Sequence, residues 1–166
     1  VSGGNGDVYY STSTQLTSSN YSSSGTTTVP SGINAGSYTV YYYSPGNTNY
    51  DAKSGSVSVT IGKKNLTITA KAQTINYGNS ISTGTSQIES SGLLSGHSLS
   101  SITLTASTTN ATSNGSIAPS GAVIKNSSGT NVTNNYNITY NDGKLVINKI
   151  SNSLSVNGVL ECLINL

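Results

Sequence analysis

One histidine, one cysteine and five carboxylates are the groups this chain offers as general base, thiol nucleophile or metal ligand. Nucleophilic catalysis needs a base held beside the nucleophile and an acid that orients the base. His97 sits in a Ser/Gly-rich loop, so a Ser-His-Asp arrangement would rest on one unsupported residue. Zinc wants three or four clustered His, Cys or acidic ligands, and calcium wants several carboxylates together. Asp7, Asp51, Glu89, Asp142 and Glu161 are isolated from one another. There is no phosphate-cradling glycine loop. A Lys-Asn isopeptide crosslink needs a buried Lys, an Asn and an acid in contact, and no such set stands out. These residues point away from an enzyme, a metal and a cofactor.

Tyrosine is the residue type left with binding chemistry. Tyr38, Tyr41, Tyr42, Tyr43 and Tyr50 crowd one stretch. Tyr rings stack on sugars and anchor protein interfaces, giving area at low rotamer cost. Strand alternation sends Tyr38 and Tyr42 to one face with Val40, and Tyr41 and Tyr43 to the other. Tyr38 and Tyr42 are expected to fill the core in place of the absent Phe and Trp. Tyr41 and Tyr43 are the candidate ligand contacts, with core filling equally open for them.

The elements that position these residues follow from composition. Hydrophobic residues make up 33% of the 166 and charged residues 7%, with 11 Tyr and 18 Gly. The apolar residues are largely β-branched or aromatic and alternate with Ser and Thr, which suits a pleated, half-buried surface rather than a linker. Helix formers never cluster over a helix-length window. The expected fold is all-β. The net charge of +2 rests on seven scattered lysines without any Arg, which argues against nucleic acid. No apolar run approaches the roughly 20 residues a bilayer helix needs. With Cys162 the only cysteine, no disulfide can form within the chain, and packing must hold it together. Seven Asn-x-Ser/Thr triplets, at Asn20, Asn65, Asn110, Asn114, Asn126, Asn131 and Asn137, are mostly chance in a chain so rich in these residues and would stay bare in a bacterial protein.

Individual strands can be read along the chain. Before Pro30 the signal is thin, with a short strand at Val8-Tyr9-Tyr10. Tyr38 to Tyr43 forms a strand that Pro45-Gly46 breaks. Ser56 to Ile61 is expected to turn Val57, Val59 and Ile61 to one buried face. Leu66, Ile68 and Ala70 follow, then a segment ending at Ile75 to Gly78. Leu93 and Leu94 plug a loop that runs to His97. Ile102, Leu104 and Ala106 point inward, Asn114-Gly115 is expected to turn the chain, and Val123 to Lys125 is a short strand. The spacing predicts a terminal hairpin: Tyr136, Ile138 and Tyr140, a turn at Asn141-Asp142-Gly143, then Leu145 and Ile147.

Two strand-joint-strand junctions repeat. Val57 to Lys63 leads into Leu66-Thr67-Ile68, and Lys144 to Lys149 leads into Leu154-Ser155-Val156. Lys63 and Lys149 lie about 86 residues apart, roughly the length of a seven-stranded sandwich. This divides the chain into a module at 1–63, a second at 64–149, and residues 150–166 as the start of a further repeat or a terminal tail.

At these residues the sequence resembles a known family. Lys64 to Ala70 with Gln73 to Gly78 is similar to the opening of MBG repeats, the mostly beta, glycine-rich bacterial Ig-like modules. Leu93 to His97 fits the middle of such a repeat, and Pro119 to Ile124, Val132 to Tyr140 and Gly143 to Leu145 fit its end. Ile33 to Val40, with Asn49-Tyr50 and Gly55 to Ile61, is similar to the closing half of a like repeat. The resemblance covers about residues 33 to 149 and implies an extracellular adhesin or stalk on a bacterial cell surface. The family supplies no catalytic residues.

The expected architecture is therefore tandem antiparallel β-sandwich (Ig-like) modules in a non-catalytic structural or adhesive repeat. Its expected partners are neighbouring repeats, with a glycan or host surface protein at Tyr41 and Tyr43 as a second reading. A third is self-assembly into a filament by strand donation from the apolar tail at 150–166. The chain has no initiator Met, signal peptide or wall-anchoring motif, and a fragment of a larger secreted protein is the simplest reading.

Overall fold

In the computed structural model, residues 6–153 are described; the apolar segment 154–166, including Cys162, lies outside them. The fold is all-β, with mostly antiparallel pairing. Three strands, β1 (Tyr9–Ser11), β2 (Gly36–Ser44) and β3 (Lys53–Ile61), form one antiparallel sheet in that order. Seven more form two further sheets. The first of these holds β4 (Lys64–Ala70), β6 (Ile88–Ser91) and β9 (Tyr136–Asn141), in the order β6-β4-β9. The second holds β5 (Gln73–Asn76), β7 (Ser98–Ala106), β8 (Thr112–Lys125) and β10 (Gly143–Asn148), in the order β5-β10-β8-β7.

These two sheets pack face to face over a continuous apolar interior. Leu66 and Ile68 from β4 and Tyr136 from β9 meet Ala122 and Ile124 from β8. Ala70 meets Leu104, Ile117, Leu145 and Ile147 at the other end. The alternation in β4 and β10 places Leu66, Ile68 and Ala70, and Leu145 and Ile147, on the inner face, as period-two geometry requires. Leu66, Ile68, Ile117, Ile124 and Leu145 are fully buried, and burying each such side chain stabilises the fold by about 1.5–3 kcal/mol.

The expected terminal hairpin does not form. β9 pairs with β4 and β10 pairs with β5, both in parallel, so the chain crosses from one sheet to the other at Asp142. β4 and β5 make the same crossing at Lys71-Ala72 beside it. Gly143 is needed for the close approach at this corner, because a Cβ there would lie 2.5 Å from the Ala70 carbonyl oxygen and 2.7 Å from that of Lys71. The Asp-Gly step thus serves a corner rather than a turn. Asn114-Gly115 is not a turn either. Both lie within β8, with Gly115 opposite Leu145, where a Cβ would press to 3.3 Å on the Leu145 Cβ. Here glycine allows backbone approach beside a bulge in the ladder.

The first sheet has one face open. Tyr38, Val40 and Tyr42 share it with Val57, Val59 and Ile61, as the cross-strand register dictates. Val57 is 49% and Val59 43% exposed, so the expected burial of β3 is not met. The physical reason is that no second layer among the described residues covers this face; Tyr42 instead folds its ring over Gly55. The opposite face is covered at one end. Tyr21 closes over Tyr43 there, from a short helix, α1 (Tyr21–Ser24), in a region where no helix is expected from composition, and Leu16 in the loop before it is fully buried. None of the helices among the described residues is long and apolar enough to cross a membrane.

Candidate functional site

The tyrosine patch resolves into two environments. Tyr43, a candidate ligand contact, is only 7% exposed. Its ring stacks on Tyr21 with centroids 4.8 Å apart and planes 20° from parallel, and Tyr21 meets Tyr9 edge-on at 4.8 Å. Tyr43 is therefore a packing residue of the first sheet and not the exposed ring a ligand contact requires. Tyr41 is half-buried on the same face, as are Tyr38 and Tyr42 on the open one. Of the two readings left open for Tyr43, core filling is the one its burial fits: the alternation is legible in the sequence, but which face a covering loop chooses is not.

A second arrangement, invisible in the sequence, lies where β3 hands over to β4 through Gly62-Lys63. There the loop before β2 touches the turn before β9. The Ala35 N–H donates to Asn135 Oδ1 at 2.9 Å, and Asn135 Nδ2 donates to Asn34 Oδ1 at 2.9 Å. A cleft of about 460 Å³ opens beside these bonds, and Ile61, Lys64, Leu94, His97, Asn126 and Asn131 contribute to its wall.

His97 is fixed at the wall of this cleft by Tyr136. The Tyr136 hydroxyl lies 2.6 Å from His97 Nδ1 and accepts the Leu94 N–H at 3.1 Å. Tyr136 is 4% exposed, and a buried hydroxyl needs an acceptor for its proton. His97 Nδ1, at 2.6 Å, is the side-chain partner in reach. The histidine that sequence reasoning left alone in a Ser/Gly loop therefore has a structural partner 39 residues away. A partner so distant leaves no local spacing signal. Among the described residues, no group of three or more His, Cys, Asp or Glu side chains could hold a metal ion.

The chain matches no curated protein and no solved structure. Residues 66–146 match the family model of the MBG domain, YGX type. The match runs from Leu66 on β4 to Val146 on β10, and so takes in the strands of both packed sheets. Residues 66–146 of this chain are an MBG domain of the YGX type, a repeat domain of surface proteins.

Proposed function

We propose that the chain is a non-catalytic stretch of tandem Ig-like repeats from an extracellular bacterial surface protein, acting as a stalk or spacer. The observation that carries this reading is the joint. Only Gly62-Lys63 separates β3 from β4, and the Asn34, Ala35 and Asn135 hydrogen bonds tie the two sides together. A spacer needs such a joint, because a long flexible linker would let successive units collapse on each other. The family match supports the reading, since MBG repeats are structural modules. The hydrogen bond of His97 to Tyr136 supports the reading, since it accounts for the histidine as a packing residue. Antibody labelling of intact cells tests the location: an epitope on residues 64–149 should be reached without permeabilisation and lost on protease shaving. An epitope seen only after lysis would defeat the proposal.

Self-assembly is a second reading, favoured by the unpaired outer edge of β3 and its exposed Val57 and Val59. An exposed apolar edge strand is a template for strand addition. The segment 150–166, the expected donor, lies outside the described residues from 154 onward. Deleting it should abolish polymers under this reading and leave a spacer unchanged. Of the two candidate contacts, the glycan or host-protein reading retains the half-buried Tyr41, since Tyr43 is buried.

A further inference from the structure

The cleft at the joint has an unbalanced hydrogen-bonding inventory. Each of its carboxamide oxygens already accepts at least one hydrogen bond from the protein. Asn126 Oδ1 accepts the Ser128 and Thr130 N–H groups at 3.1 and 2.9 Å. Asn131 Oδ1 accepts the Thr133 N–H at 3.0 Å and its hydroxyl at 2.7 Å. Asn34 Oδ1 accepts from Asn135, and Asn135 Oδ1 from Ala35. The amide hydrogens of Asn34, Asn126 and Asn131 have no partner among the described residues, and Lys64 Nζ makes no ion pair there. No carboxylate lines the cleft. The cleft therefore offers donors and one positive charge, with few acceptors of its own, around the apolar side chains of Ile61, Leu94 and Val132.

We propose that this cleft binds an acidic saccharide, a pyranose carrying a carboxylate. The complement of a donor-rich, singly cationic cleft is a ligand rich in acceptors with one negative charge. The donors come from separate segments: the loop before β2, the start of β4, the loop before β7 and the loop after β8. A ring bearing oxygens around its rim meets donors so distributed, whereas a lone oxyanion needs them converging on one point. The carboxylate pairs with Lys64, the hydroxyl oxygens accept from the asparagine amides, and the ring C–H face lies on the aliphatic side chains. Its volume falls in the range of about 300–1,000 Å³ found for small-molecule sites, which favour junctions between units. This site is distinct from the tyrosines and independent of the spacer reading; a spacer that binds nothing keeps its joint.

Amide chemical shifts of the full chain, titrated with methyl β-D-glucuronide, test the site. Saturable shifts at Ala35, Leu94, His97 and Asn131 are expected at millimolar ligand. Methyl β-D-glucoside should bind about tenfold more weakly, and acetate should give no saturable shift. Lys64→Gln removes the charge without disturbing the backbone pairing of β4, and should cost about tenfold in glucuronide affinity while leaving the glucoside unchanged. Asn131→Asp keeps the oxygen that holds Thr133 and replaces the free amide by a second acceptor, so it should weaken glucuronide further. Both variants should retain the wild-type spectrum away from the cleft. Shifts scattered over the surface, equal response to acetate, or glucuronide affinity indifferent to Lys64→Gln would each overturn the proposal.

Discussion

Asn135 reaches across the joint to the loop before β2 with both ends of its carboxamide, accepting from Ala35 through Oδ1 and donating to Asn34 Oδ1, each at 2.9 Å. A single side chain 101 residues from Asn34 therefore sets how the first sheet meets the MBG domain. Asn135→Ala removes both bonds and leaves the half-buried Ala35 N–H without its acceptor, at a local cost of about 1–2 kcal/mol. The Ala35 amide should exchange its hydrogen roughly tenfold faster in the variant, while amides in β4 and β10 keep their protection. Equal exchange at Ala35 in both proteins would show that the joint does not depend on Asn135.

Tyr136→Phe keeps the ring in the core but withdraws the hydroxyl from both His97 Nδ1 and the Leu94 N–H. Leaving these groups unmatched should destabilise the MBG domain by about 1–3 kcal/mol. Urea denaturation followed by far-ultraviolet circular dichroism measures this, and the His97 ring resonances should move at the same time. A neutral effect on stability would mean that water replaces the hydroxyl without loss.

Gly143→Ala tests the corner at which the chain changes sheet. The new Cβ would fall on the Ala70 and Lys71 carbonyl oxygens, which are backbone atoms and cannot swing aside. A loss of about 3 kcal/mol is expected, the top of the usual overpacking range. Gly62→Ala, where a Cβ meets nothing within 4 Å, is the control and should change stability by less than about 0.5 kcal/mol.

The last strands of the two halves should differ in how much a core-directed change costs them. Leu145→Ala on β10 opens a cavity in a fully buried site and should cost about 2–5 kcal/mol. Val59→Thr on β3, at 43% exposure, should cost less than about 1 kcal/mol in the isolated chain. A large loss at Val59 in the isolated chain would mean that this face is covered in solution.

The alternating patterns of β4, β7 and β10 were legible because side-chain direction along a strand has a period of two, whatever the strand later packs against. Leu66, Ile68, Leu104, Leu145 and Ile147 are buried on that ground alone. The same rule failed at Val57 and Val59, since alternation tells which side chains share a face and says nothing of whether a second layer exists to cover it. At Asn114-Gly115 and Asp142-Gly143 the residue types are those of tight turns, yet both glycines answer to a neighbouring backbone, Leu145 in one case and Ala70 in the other.

By itself, the sequence determined the all-β class, the inner faces of the MBG domain and its kinship, because these depend on local alternation and on motif residues close together in the chain. Tertiary structure alone decided the parallel pairing of first and last strands, the burial of Tyr43, the bond between His97 and Tyr136, and the cleft at the joint. Each of these depends on contacts between segments tens of residues apart, whose energies no local window contains.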